Sequence, residues 1–152
     1  MPEFAARDAD WETRVRDSFG RQGLMGHLQA RITRAKPGLV EIEIPFRAEF
    51  TQQNGYFHAG ASSAIADTAG GYAAYSLFLP DTAVLTVEFK INLVAPAKGD
   101  RLRAIGAVIK TGRTLTICDL KVFAISGERE ILCATGLQTL ICLNEKAESA
   151  AT

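Results

Sequence analysis

Residues 57–79, FHAGASSAIADTAGGYAAYSLFL, contain one carboxylate, Asp67, in an otherwise almost uncharged run. The run is built largely of Ala, Gly and Ser, which predicts one long helix that neighbours can approach closely on several sides. A charge in the middle of such a packed element is costly unless it is paired, hydrogen-bonded or protonated, so Asp67 needs a partner or a task. At the start of the run stands His58-Ala59-Gly60. The first backbone N–H groups of a helix have no intrahelical acceptor and point along its axis, which makes that end a ready seat for a negative oxygen. Asp67 lies about 10 Å beyond Gly60 along the axis, at 1.5 Å per residue. One chain therefore does not easily bring its own Asp67 to an oxygen held at its own helix start. The alternative for Asp67 is a local bond, to Ser63 or Thr68 within the helix.

The elements that must position these groups follow from periodicity. Trp11, Val15 and Phe19 fall at i, i+4 and i+8 within residues 8–19, which predicts a short amphipathic helix capped by Asp8 or Asp10 and stopped by Gly20. Leu28, Ala30 and Ile32 then alternate with polar residues before the turn Lys36-Pro37-Gly38. Val40, Ile42, Ile44 and Phe46 alternate with Glu41 and Glu43 as a half-buried strand. Residues 51–55 form a polar loop that delivers the chain into the long helix, and Pro80-Asp81 ends it. Leu85, Val87, Phe89, Ile91 and Leu93 are expected to share one strand face, with Thr86, Glu88, Lys90 and Asn92 on the other. Turns at 96–100, 111–113 and 126–128 set off three more strands, over about 101–110, 115–125 and 130–143.

Short turns between consecutive strands imply antiparallel pairing. The expected fold class is α+β: a curved antiparallel sheet of five to six strands wrapped around one long central helix, with a short N-terminal helix. One domain is expected over residues 1–152, with a core at about 24–143, an N-terminal helical extension over 1–23 and a frayed polar tail over 144–152. The long, regular strand at 84–95 suits pairing with another copy at a sheet edge.

Composition bounds the function. At 152 residues, with 47% hydrophobic and 22% charged, the chain can bury a real core. Seventeen basic residues balance seventeen acidic ones, which gives no case for a nucleic-acid partner. The run 57–79 is long enough to span a bilayer, but its centre lacks large apolar side chains and a mid-span Asp costs about 2.5–3.5 kcal/mol, so no membrane role is expected. Cys118, Cys133 and Cys142 are odd in number, lack C-x-x-C spacing and sit in apolar strand-like runs, which reads as buried thiols of a cytoplasmic protein. The N-terminus is charged from the start, without an apolar signal core, so secretion is not expected. Nothing calls for a metal or a cofactor.

Gly55, His58, Gly60 and Asp67 fall on the spacing Asn-x-x-Gly-x-x-His-Gly-Gly with an Asp nine residues after the His, here within Ala66-Asp67-Thr68-Ala69. With Thr86-Val87-Glu88-Phe89-Lys90-Ile91-Asn92, Pro96-Ala97 and Gly112-Arg113-Thr114-Leu115, the chain resembles the hotdog-fold acyl-CoA thioesterases of the phenylacetate-pathway (PaaI-like) type over about residues 38–143. The resemblance implies hydrolysis of an aryl- or medium-chain acyl-CoA. It also implies a homodimer, commonly assembled into a homotetramer, in which two subunits share each active site. Asp67 would be general base on water, or nucleophile through a mixed anhydride. Ala59 and Gly60 of the partner would donate to the thioester oxygen, and one well-placed donor of this kind is worth about 2.7–4 kcal/mol in the transition state. Ala59 stands where the family has Gly; its N–H survives that exchange as long as the position needs no positive φ.

The resemblance extends to the surrounding residues. Gln52 occupies the family's Asn position and would place substrate or water, with Asn54 beside Gly55 as a second amide for that task; for both, ordinary turn chemistry is the alternative. His58 would orient the loop at the helix start, with direct proton transfer as the other reading. Thr86 matches a hydroxyl position that bonds the attacking water, against a plain polar residue on an alternating strand. Thr68 flanks the carboxylate on the substrate side. Lys98, Arg101, Lys110 and Arg113, in or beside turns, are candidates for the coenzyme A phosphates, Arg113 foremost, though each alone reads as a solvated charge. Tyr72, Tyr75 and Phe78 either shape an acyl pocket or belong to the core. His27 has no companion and is read as non-functional.

Other activities on this fold need residues the chain does not have. A hydratase of this type pairs its Asp with a His five residues later, where Tyr72 stands. A dehydratase carries Gly-His-Phe-Pro, a context neither His has. A non-catalytic acyl-CoA sensor or carrier is the third reading, and it would be expected to lack the acid that this chain keeps.

Overall fold

Alternating apolar residues after position 30 build six strands, and the small-residue run builds the helix they enclose; the structure is a computed structural model describing residues 3–144. The strands are β1 (Arg31–Lys36), β2 (Leu39–Pro45), β3 (Thr82–Leu93), β4 (Arg101–Thr111), β5 (Leu115–Ser126) and β6 (Arg129–Asn144). They form one sheet in the order β1-β2-β4-β5-β6-β3, with every neighbouring pair antiparallel. Among the described residues there are also three helices, α1 (Trp11–Gly20), α2 (Gly23–His27) and α3 (Ala59–Tyr75), with a short 3-10 turn over Ala48–Phe50 before α3. This is the expected hotdog arrangement, with α3 as the filling.

The core shows why α3 is made of small residues. Ile42, Ile44, Leu102, Ala104, Leu120, Val122 and Leu140 of the sheet bury against Ile65, Ala66, Ala69 and Ala73 of the helix. At the closest crossing, a Cβ on Gly106 of β4 would lie 2.3 Å from the backbone of Ala69 and Gly70. Helix and sheet backbones touch there without side chains between them. Across the N-terminal part, α1 buries Val15 fully and packs Trp11 and Phe19 on the same core. Arg14 of α1 stacks 4.5 Å over the Tyr75 ring and donates to the Phe78 carbonyl at 2.7 Å, which ties α1 to the end of α3.

Several expected boundaries move. The long helix spans Ala59–Tyr75 and not 57–79: Phe57 bridges to Thr51, the His58 side chain caps the start, and Ser76 caps the end. Asp10 holds the N-cap position of α1 without a side-chain bond, because the Asp8 carboxylate takes the Asp10 N–H at 3.1 Å and pairs with Arg14 at 3.0 Å. α1 ends at Gly20 as expected, but a second short helix, α2, follows after two residues. Leu28 therefore ends a helix and starts no strand; Gln29, at φ 55°, makes the break, and β1 begins at Arg31. The polar tail expected past Asn144 lies outside the described residues.

The largest correction concerns β3. Thr86 pairs with Leu140 and Glu88 with Thr139, so Val87 is an extra residue, a β-bulge. One inserted residue reverses the alternation. Thr86 faces α3 on the same side as Phe89, Ile91 and Leu93, which pair with Gln138, Gly136 and Ala134, while Leu85 falls on the outer side opposite Ile141. β3 is also an edge: among the described residues only β6 pairs with it, and Leu85, Val87, Phe89 and Leu93 are exposed.

Because no methyl group fits between β4 and α3, Gly106→Ala must push the two apart. We expect a loss of about 1–3 kcal/mol in urea unfolding. Unchanged stability would contradict the close backbone approach.

Candidate active site

The bulge brings a hydroxyl to the helical carboxylate. Thr86 Oγ1 donates to Asp67 Oδ1 at 2.6 Å, and the amide Nε2 of Gln138, on β6, donates to the same oxygen at 2.7 Å. Nε2 also reaches Thr86 Oγ1 at 3.0 Å and the Asp67 main-chain carbonyl at 3.1 Å. Asp67 is therefore held from across the sheet, and its partners are neither Ser63 nor Thr68. Thr68 is buried beside it. A cavity of about 420 Å³ opens on Asp67, Thr68 and Thr86, with Tyr72, Tyr75, Val84 and Leu85 along it and Ser18, Arg21 and Gln22 of the N-terminal helical region at its far wall. Tyr72 anchors that wall: its hydroxyl meets Ser18 Oγ at 3.1 Å and accepts from Gln22 Nε2 at 3.2 Å. Burial raises the Tyr72 pKa, so the phenol stays protonated at neutral pH.

The helix start is built differently from expectation. His58 has the extended backbone of an N-cap (φ −63°, ψ 140°), and its Nδ1 accepts the Gly60 N–H at 2.7 Å. Gly60 has no side chain in the way; a Cβ there would sit 2.9 Å from Nδ1. The Gly60 amide is thus spent on His58 and is not an open donor. The His58 N–H goes to the Phe50 carbonyl at 2.8 Å. That leaves the Ala59 N–H as the helix-start donor with no partner among the described residues, and Ala59 is not among the positive-φ residues. His58, exposed and committed through Nδ1, serves as a cap.

Ala59 lines a second cavity, of about 500 Å³, with Gln52, Tyr56, Ser62 and the stretch 93–97. Of the two candidate amides, Gln52 reaches this cavity. Its side-chain carbonyl also takes the Asn54 N–H, closing the turn in which Gly55 adopts φ 79°. Asn54 is exposed and lines neither cavity. In one chain, then, Asp67 with Thr86 and Ala59 with Gln52 open on two separate cavities. Arg113 is not beside either group. It lines a third space, of about 710 Å³, with Arg7, Leu77 and Thr114, which touches the Asp67 cavity through Thr82. Lys110 and Lys98 are exposed, and Arg101 pairs with Glu43 at 3.4 Å. His27 closes α2 with its ring edge-on to Phe50 at 6.0 Å.

Gln138 is the residue that sequence reading passed over. Its signal was available: an amide on the inward positions of a strand whose neighbours Gly136 and Leu140 are apolar, where alternation calls for another hydrophobe. The cysteines lie outside the site. Burial pushes the Cys118 thiol up to about 12, with Asp119 adding to it, and burial also raises Cys133.

The thioesterase superfamily model matches residues 54–131, just over half of the chain. The proofreading thioesterase EntH of Klebsiella pneumoniae is 28% identical over 117 residues, 77% of this chain and 85% of that protein. A solved thioesterase family protein from Silicibacter pomeroyi superposes with a TM-score of 0.87 at 45% identity, covering 88% of this chain and 98% of that one. The PaaI protein of Escherichia coli shares the fold, with a TM-score of 0.78 at 18% identity over 87% of this chain and 92% of that one. The chain belongs to the thioesterase superfamily and has its hotdog fold. It is a thioester hydrolase by class.

Only the thiolate is alkylated, and at pH 8 a thiol of pKa about 12 is ionised about one part in 10⁴. In the native protein at pH 8, mass spectrometry should find iodoacetamide on half-buried Cys142 before Cys118 or Cys133. Cys118 should react only as pH climbs toward 12 or on unfolding. Early labelling of Cys118 would contradict its buried position.

Proposed function

We propose that this protein hydrolyses an aryl- or medium-chain acyl-coenzyme A, each reaction using Asp67 of one subunit and the Ala59 amide of its partner. The carrying observation is the Asp67 carboxylate, bound at one oxygen by Thr86 and Gln138 and open to a cavity walled by Tyr72 and Tyr75. As general base, Asp67 takes a proton from water while the water oxygen attacks the thioester carbon. Charge builds on the carbonyl oxygen, where the partner's helix start donates. The tetrahedral intermediate then expels the coenzyme A thiolate, which recovers the proton from Asp67, and the free acid leaves. As nucleophile, Asp67 would instead form a mixed anhydride that water opens. Single turnover in oxygen-labelled water separates the two, since label in the Asp67 carboxylate marks the anhydride.

A homodimer supports this reading geometrically. Asp67 reaches β3 at 84–86 and Ala59 reaches its far end at 93–97, about 25 Å away at 3.3 Å per residue. Two β3 edges paired antiparallel about a two-fold axis near Phe89 would set Thr86 of one chain opposite Leu93 of the other. Each Asp67 cavity would then abut the partner's Ala59 cavity, and the exposed side chains of β3 would be covered. Further pairing of dimers into a homotetramer fits the same scheme. Gln52 is the amide placed to contact substrate there, while Arg113, and more remotely Lys110, are offered to the coenzyme A phosphates. The free cysteines support a reducing, cytoplasmic setting.

Position 59 allows a clean test. It is the first residue of α3, and His58 already has the extended ψ of 140° that a following proline requires. Ala59→Pro therefore deletes the N–H and keeps the helix. We expect Ala59→Pro to lower kcat by about 10²–10³, like loss of any oxyanion donor, and Asp67→Asn to abolish turnover. A 1:1 mixture refolded together should regain about a quarter of wild-type activity, because half of random dimers hold one intact shared site. A mixture no better than its parents would sink the shared site. An Asp67→Asn protein as fast as wild type on a panel of thioesters would sink the catalytic reading in favour of an acyl-CoA carrier.

A further inference from the structure

We infer that Gln138 is the positioning residue of the site: its buried amide fixes Asp67 Oδ1 and the Thr86 hydroxyl in one arrangement, so that Oδ2 is the oxygen presented to water or substrate. The inference rests on the proposed role of Asp67. Gln138 is 1% exposed and lies between inward-facing Gly136 and Leu140. An amide buried there is unfavourable unless bonded, and its bonds are one-sided. Nε2 serves three acceptors, Asp67 Oδ1 at 2.7 Å, Thr86 Oγ1 at 3.0 Å and the Asp67 carbonyl at 3.1 Å, while Oε1 has no partner among the described residues. A residue kept for packing alone would be better apolar, with no oxygen left orphaned. The donors are what this position supplies.

The amide cannot be turned round. Exchanging its ends would put a carbonyl oxygen against the carboxylate and leave Thr86 and Asp67 as acceptors without their N–H. With Nε2 donating to Thr86 Oγ1, the threonine proton is directed onward to Asp67 Oδ1, so the three side chains form one oriented chain of bonds. Among the described residues Oδ1 accepts two donors and Oδ2 none, which blocks rotation of the carboxylate and selects the reacting oxygen. The helix is shaped for this. A Cβ on Gly70, three residues beyond Asp67, would stand 1.9 Å from Oε1 and 3.1 Å from the amide carbon. Gly70 is the space that the amide occupies.

Gln138→Met keeps length and apolar bulk but carries no donor. In the full-length protein we expect it to melt no lower than wild type, to lose about 10–100-fold in kcat and to change KM less than threefold. Gln138→Leu, a second donor-free variant, must show the same split should Gln138→Met melt early. If Asp67→Asn is inactive while both Gln138 variants turn over within twofold of wild type, the positioning role is wrong and the role of Asp67 stands. A KM rise in place of the kcat loss would likewise overturn it. An Asp67→Asn protein with wild-type kcat overturns both.

Discussion

Backbone contact between α3 and the sheet is the constraint from which the rest of the molecule follows. Gly106 brings β4 against Ala69 and Gly70 with no side chain between. Such proximity favours small side chains, and the buried positions of α3 are mostly Ala, Gly, Ser and Thr, with Ile65, Tyr72 and Tyr75 as the large ones. It also brings the inner side chains of β3 and β6 within bonding reach of the helix. A short hydroxyl at Thr86 and a mid-length amide at Gln138 suffice to span from strand to Asp67. Were the helix held off by Leu and Phe, as in an ordinary amphipathic packing at 8–10 Å between elements, neither would reach.

The bulge at Val87 couples this interior to the outside. Without it, strict alternation would place Thr86 on the side away from α3, and Asp67 would face β3 with no donor. With it, the strand turns Thr86 inward and still continues as an edge to Leu93. The extra residue also leaves Val87 and Leu85 exposed along that edge, where a lone protein would carry charge or proline as protection. A strand so left open is consistent with a sheet completed by a second copy. One irregularity thus serves both the carboxylate and the proposed dimer.

How much of this was legible beforehand depended on the range of the interaction. Strand periodicity located β2, β4, β5 and β6 to within a residue or two, because each alternates against a continuous core. Asp67 and Ala59 stood out because a charge and a helix start declare themselves locally. The fate of the Gly60 amide was not legible, since it turns on the rotamer of His58, two residues away. The β3 bulge was hidden for a related reason: Thr86-Val87-Glu88 alternates as well with a bulge as without one, and only the pairing with Leu140 and Thr139 reveals the shift. The N-terminal stretch misled for another reason, because Leu28, Ala30 and Ile32 mimic alternation across the end of a five-residue helix. Gln138 was legible in kind, as a polar residue on an apolar face, but its partner lies 71 residues away in sequence.

The rigidity of α3 bears on why such a site would be shared at all. Asp67 and the Ala59 amide are carried on one rod, eight residues or about 12 Å apart along its axis, and a helix does not bend to close that gap. A thioester carbon must sit near both the attacking group and the oxyanion donor, within a few Å of each. No side-chain rotation in one chain meets that requirement, and the two groups accordingly open on different cavities. A two-fold axis meets it without bending anything: it superposes the far end of one rod's neighbourhood on the near end of the other. In that arrangement the N-terminal α1–α2 segment gains a purpose beyond packing. Ser18, Arg21 and Gln22 close the Asp67 cavity on the side opposite β3, so the length and polarity tolerated in an acyl group would be set by residues outside the sheet-and-helix core, and can vary without disturbing the carboxylate.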